Sequence, residues 1–241
     1  MASTSETGHN KNVQNFSKAY TILEEMGALY QPTNTDILLN TLNPLRTQLQ
    51  NTLDEISSKT PLYSNKVAER ETEIDKLRPL STSISNHFSG LKVSQADKDN
   101  ALNITKKIRG DKTAKPTNTE NKEEDNSIST SQQSYDNLVA NFRKLIDFVK
   151  SHPEYQPNEE ELKITTLEAF YDKLKSLNDE VTQAEAPIIT AKKNRNDLLY
   201  FNPNNVIELI TNIKSYLKSL KEKGKPYYDA IVKLKFKDIQ R

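Results

Sequence analysis

The sequence predicts an all-α fold, a tandem duplication of an elongated helical bundle with a long coiled-coil-like helix in each repeat. Three observations carry this expectation. Glycine is scarce, 5 in 241 residues, while 28% of residues are charged and 34% apolar, a mix that suits helices with solvated faces. The stretch "YQPTNTDILLNTL" at 30–42 returns as "YQPNEEELKITTL" at 155–167. Downstream of each copy, apolar residues recur at alternating spacings of three and four, the period of a helix that buries one stripe.

Taken in order, residues 1–11 are polar and carry neither the basic nor the apolar region of a secretory signal; they are expected to form a disordered tail. A first helical repeat is expected over 12–109, a flexible tether over 110–133 and a second repeat over 134–241. Each repeat reads as a short helix (12–28 and 135–151), a long one (34–78 and 158–200), a third (79–93 and 203–223) and a short last segment (97–108 and 226–237).

The corners between the first and second helices are the clearest local signal. Tyr30 and Pro32, like Tyr155 and Pro157, sit where one helix must stop and another begin, and proline cannot continue a helix. Thr33 with Asp36, and Asn158 with Glu161, have the spacing of capping boxes. The tyrosine is placed to pack over the turn.

In the second long helix the buried stripe is predicted at Leu167, Phe170, Leu174, Leu177, Val181, Ala184, Ile188, Ala191, Arg195 and Leu198. In the first it runs through Leu42, Leu45, Leu49, Ile56, Tyr63 and Arg70 to Ile74 and Leu77. Pro44, Pro61 and Pro187 fall inside these stretches and should kink the helices or divide them. Matches outside the corners, such as Thr41/Thr166, Leu49/Leu174 and Glu55/Glu180, keep one order along both copies, and "VQNFSK" (13–18) matches "VANFRK" (139–144). That shared order is the signature of an internal repeat.

Residues 109–133 contain one large apolar side chain, Ile128, and Ala114 among Asn, Thr, Ser, Lys and Glu, too little to offset the entropy of ordering. Arg109-Gly110-Asp111 matches an integrin-type tripeptide, but Gly110 is read as the end of a helix.

Arg70 and Arg195 occupy equivalent places in the buried stripe, where each needs a carboxylate. If the two long helices pack antiparallel about an approximate two-fold axis, one register pairs Arg70 with Glu180 and Arg195 with Glu55, with its midpoint beside Pro61 and the equivalent of Pro187. The alternative is that each arginine lays its stem over its own bundle and keeps its head in water.

Little in the chain points to catalysis. Cysteine is absent, which removes disulfides, thiolate metal ligands and a thiol nucleophile. His9, His87 and His152 are placed in the tail, on a helix face and at a helix end, none with a second metal ligand at a recognised spacing. Glu159, Glu160 and Glu161 fit the first turn of a helix better than a cation site. Phosphate-loop, zinc-protease, hydrolase-elbow and EF-hand patterns do not occur, and no cofactor is expected. Thirty-four basic residues balance thirty-three acidic ones, so no global field selects nucleic acid or lipid. The one local bias lies from Lys214 onward, where Lys214, Lys218, Lys221, Lys223 and Lys225 interleave with Tyr216, Tyr227, Tyr228 and Phe236. This is either a basic binding surface or a solvated face with its aromatics in the core.

The segments "TGHNKNVQNF" (7–16), "SYDNLVANFRKLI" (134–146), "YQPNEEEL" (155–162), "NRNDLLY" (194–200) and "KSYLKS" (214–219) resemble a group of uncharacterised bacterial helical proteins. The resemblance covers nearly the whole chain and implies a bacterial source, but no activity and no functional residues.

The expected function is therefore a non-enzymatic scaffold or protein-interaction protein, its partner another protein or a second copy. Nucleic-acid or anionic-membrane binding through the lysine-rich C-terminal repeat is the alternative, and a precursor of a membrane-perturbing toxin a weaker third. The absence of a long apolar run and of cysteine leads to a cytoplasmic expectation, although a secreted protein trimmed of its signal would look the same.

Overall fold

The computed structural model describes residues 4–111 and 133–238. Among them the chain is all-helical, with no strand: α1 (Thr4–Glu25), α2 (Leu39–Ser89), α3 (Gln95–Arg109), α4 (Tyr135–Lys150), α5 (Ile164–Asn196), α6 (Val206–Ser219) and α7 (Lys225–Lys233). A single π turn, Asp197–Phe201, follows α5 directly. No described helix is long and apolar enough to cross a membrane.

Several boundaries differ from the sequence reading. Residues 4–11 are not a tail: they open α1, with Glu6 in its first turn, where an acid favours the positive helix end. The separate third helix expected at 79–93 is the end of α2, which is continuous across Pro44 and Pro61 for 51 residues. Likewise α5 is continuous across Pro187. In the second long helix the break comes instead at the π turn, after which Asn204 takes a left-handed φ of 57° and Asn205 caps α6 by accepting from the Glu208 N–H. The last segment, expected to be helical to 237, leaves the helix at Lys233.

The body divides into two compact units, Met1–Pro61 with Glu185–Arg241, and Leu62–Ala184. This corrects the expected domains at 12–109 and 134–241. Both boundaries fall inside long helices, α2 and α5. Each unit takes a short first helix and the front of a long helix from one half of the sequence, and its remaining helices from the other. The physical reason is length: a short helix such as the 16-residue α4 covers only part of the stripe that α2 must bury, so one long helix needs two sets of neighbours.

Each unit has its own core. In the first, Phe16, Leu23, Leu42 and Leu49 pack with Leu199, Ile213 and Ile231. In the second, Leu77, Ile84, Phe88 and Ile108 pack with Phe142, Leu145, Leu167 and Leu174. Of the predicted stripe, Leu42, Leu49, Ile74, Leu77, Leu167, Leu174, Leu177, Val181, Ala184, Ile188, Ala191 and Arg195 are buried. Leu45, Ile56, Tyr63, Arg70, Phe170 and Leu198 are half-buried.

The tether of 110–133 lies, over 112–132, outside the described residues. At its near edge Gly110 ends α3 with φ +80°, its N–H bonded to the Lys106 carbonyl, a conformation that glycine adopts without the steric cost met by other residues. The Arg109-Gly110-Asp111 tripeptide is thus a helix end, with Arg109 and Asp111 paired to each other.

Candidate functional site

The two Tyr-Gln-Pro corners are built alike. After each proline comes a single 3₁₀ turn, Thr35–Ile37 in one and Glu160–Leu162 in the other, and only then the long helix. The capping boxes expected at Thr33/Asp36 and Asn158/Glu161 do not form. Asn34 accepts from the Asp36 N–H, and Glu159 occupies the second cap position without a side-chain bond. The tyrosines hold the turns. Buried Tyr30 donates its hydroxyl proton to the Ile37 carbonyl at 2.7 Å, and buried Tyr155 donates to the Leu162 carbonyl at 3.0 Å. A second aromatic stands edge-on to each, Tyr216 against Tyr30 with ring centroids 5.3 Å apart and His87 against Tyr155 at 5.4 Å. Burial raises both tyrosine pKa values, that of Tyr155 to about 12, so these hydroxyls stay protonated donors.

The densest polar cluster lies in the first unit, where α1, the end of α5, the π turn and the C-terminal segment meet. Arg195 is completely buried. Its Nη1 and Nη2 donate to the two oxygens of Glu6 at 2.8 and 3.3 Å, a forked pairing that suits a guanidinium. Its Nε and Nη2 also donate to Asn196 Oδ1. The Arg195 bond holds the Glu6 carboxyl below its ordinary value against the opposing effect of burial. Nearby, the Tyr200 hydroxyl accepts from Asn12 Nδ2 at 2.9 Å and lies 2.9 Å from His9 Nδ1. Burial, with Arg195 adding repulsion, pushes the His9 pKa down and so favours its neutral form.

Asn12 and Asn15 extend this cluster to the chain's last described residues. The Asn12 amide both donates to the Lys237 carbonyl at 2.7 Å and accepts from the Lys237 N–H at 3.1 Å, pairing as a strand would. Asn15 donates to the Lys235 carbonyl at 3.0 Å. A helix to 237 would direct those backbone groups inward, so this pairing is why α7 stops early. Sequence reasoning missed Glu6, His9, Asn12 and Tyr200 as a group because it set 1–11 outside the fold. The signal that could have placed them is Thr4-Ser5-Glu6, a helix-start pattern.

The expected ion pairs are corrected here. Arg195 pairs with Glu6 rather than Glu55, which instead lines a polar cavity of about 350 Å³ with Gln48, Asn51, Asn194 and Asn202. Arg70 does not meet Glu180: its guanidinium lies 3.7 Å from the centre of the Tyr135 ring, and its Nε is buried without a hydrogen-bond partner. Glu180 bonds to Lys66 at 2.6 Å. The other histidines face separate elements: His152 Nδ1 lies 2.9 Å from the Phe148 carbonyl and its Nε2 3.7 Å from Asp97, and His87 Nδ1 lies 4.0 Å from Glu159. Glu160, from the acidic run, pairs with Lys163. Among the described residues no group of three or more His, Asp or Glu side chains is placed to hold a metal.

Of the five C-terminal lysines, Lys218, Lys221 and Lys225 line one cavity of about 190 Å³ with Glu222 and Tyr228; Lys214 and Lys223 do not. Lys221 adopts a left-handed φ of 52°, and at Gly224 a Cβ would collide with the Leu217 carbonyl. Tyr216, Tyr227, Tyr228 and Phe236 pack against the core, so the lysines and the aromatics that the sequence interleaves largely part company.

Compared with known proteins, the chain matches no family model, no curated protein and no solved structure.

Proposed function

We propose that this protein is a non-enzymatic helical scaffold that engages another protein through the surface around its π turn. The observation that carries the reading is Phe201, 52% exposed at the end of that turn, directly after Tyr200, whose ring is buried. Aromatic side chains anchor protein interfaces. The ionisable groups behind the turn (Arg195, Glu6 and His9) bond to one another and to the chain, which fits holding a surface in place. The recurring tyrosine corners support the same reading, since each holds a turn by a buried hydrogen bond.

The test is photo-crosslinking in the native cell with a photoreactive residue at 201, set beside one at Glu208 as a control. Capture of a defined partner from position 201, lost in an unlabelled competitor carrying Phe201→Ser, is the expected result. Equal capture from both positions, or competition undiminished by Phe201→Ser, would refute this surface.

A second reading rests on Lys218, Lys221 and Lys225 sharing one cavity: binding of nucleic acid or an anionic membrane. Its mark would be an affinity that falls steeply with salt.

A further inference from the structure

We infer that the groove between α1 and the front of α2 is a binding site for a small phosphomonoester of a polyhydroxy compound. A cavity of about 420 Å³ lies there, lined by Ser17, Lys18, Thr21, Arg46, Thr47, Gln50 and Asn51. It shares Asn51 with the cavity beside the π turn and no lining residue with the cavity of the C-terminal lysines.

Charge is the first argument. Two cations, Lys18 and Arg46, line the groove and no carboxylate does; neither cation forms a salt bridge among the described residues. Two acids bond to residues at its edge: Asp54 accepts from the lining Gln50 at 2.9 Å and Glu24 from the Tyr20 hydroxyl at 3.5 Å. Arg143 on Asp147 and Lys193 on Asp197 are examples of cations that the chain does neutralise. Two unneutralised cations in one groove match a dianion, which selects a phosphomonoester over a diester.

Pre-organisation is the second. Arg46 is held by a bond from its Nη2 to Asn43 Oδ1 at 2.8 Å, and its guanidinium lies 4.2 Å from the centre of the Tyr20 ring. A guanidinium fixed in this way loses less entropy on binding an oxyanion than a free side chain would.

The hydroxyls decide the rest of the ligand. Thr21 and Thr47 already donate their protons to the Ser17 and Asn43 carbonyls, so their oxygens face a ligand as acceptors. Acceptors repel a phosphate but take bonds from alcohol O–H groups. Ser17 and Asn51 add groups that can donate or accept. Donors beside acceptors fit a phosphate carried on a hydroxylated skeleton better than phosphate alone.

Calorimetric titration of the full chain with glycerol 3-phosphate, inorganic phosphate and glycerol tests this. Glycerol 3-phosphate should bind saturably and more tightly than inorganic phosphate, and glycerol should not bind. Lys18→Gln and Arg46→Gln should each weaken it by about tenfold or more, as expected for losing a charge-assisted bond, while Lys218→Gln leaves it unchanged. Circular dichroism checks that the variants fold, and Lys18, being exposed, supplies a variant that does not disturb the core. No saturable binding, equal binding of inorganic phosphate, or affinity unaffected in Lys18→Gln would overturn the assignment. So would binding to phosphatidylglycerol vesicles, whose phosphate is a diester, without binding of the free ester.

Discussion

Lys66 Nζ stands 2.6 Å from the Glu180 carboxylate, one helical turn before the arginine expected to hold that acid. Seven residues further along α2, Glu73 meets Lys173, seven residues back along α5, at 2.9 Å. Equal steps in opposite directions mean that, within the second unit, the two long helices run antiparallel. That direction agrees with the register argued from Arg70 and Arg195, with a shift of four residues. In this register Lys66, rather than Arg70, lies level with Glu180. A double-mutant cycle on Lys66 and Glu180 should therefore return favourable coupling that fades with salt, and the cycle on Arg70 and Glu180 should return none.

The two equivalent arginines should differ sharply when truncated. Arg195 is fully enclosed with a forked partner, and breaking a buried pair costs roughly 3–5 kcal/mol; Glu6→Gln should approach that range because it leaves the enclosed guanidinium without its counter-charge. Arg70 offers only its stacking on Tyr135, so Arg70→Ala should cost about 1 kcal/mol. Chemical denaturation of the three variants measures the order.

Acid should act on the first unit through His9 before Glu6. Both groups have folded-state pKa values below their ordinary 6.5 and 4.5, so the unfolded chain binds the extra proton in each case. Their contribution is complete above pH 6.5 and falls as pH drops, first as the imidazole must charge and then, below 4.5, as the carboxyl must protonate. His9→Gln should flatten the upper part of the stability–pH curve and leave the lower part. A curve identical to wild type would show that His9 titrates alike in both states.

Tyr30→Phe and Tyr155→Phe each leave a buried carbonyl, of Ile37 or Leu162, without its donor. Each should cost about 1–3 kcal/mol. Hydrogen exchange should locate the loss at the start of α2 for the first and of α5 for the second.

The helices, the stripe and the corners were legible because they rest on local chemistry. Leu167, Leu174 and Val181 announce a buried face by spacing alone, and proline after Tyr-Gln must end a helix. The fate of Arg195 was half legible: its place in the stripe demanded a carboxylate, but the partner came from Glu6, distant in sequence and assigned to a tail. The prolines misled through position. Pro44 is the sixth residue of α2, and Pro61 and Pro187 lie deeper in α2 and α5, so all three sit within continuous helices whose other backbone bonds and packing outweigh the N–H that each lacks. Domain boundaries were not legible, because a polar stretch of sequence at 110–133 lies between two similar sequences without revealing which helices share a core.

Pairing the front of one half with the back of the other imposes an order of completion. Emerging from a ribosome, the chain finishes Leu62–Ala184 while residues 1–61 still wait for their companions, the last 57 residues from Glu185 onward. Until then Phe16, Leu23 and Leu49 have no Ile213 or Ile231 to cover them, an interval in which apolar surface invites misassociation. The early part of the chain must therefore be tolerated in an unfinished state, and limited proteolysis of stalled nascent chains should find the middle protected before the beginning. A stop codon near the end would harm the N-terminal residues more than the central ones, so the most distant damage along the gene would be the nearest in the folded protein.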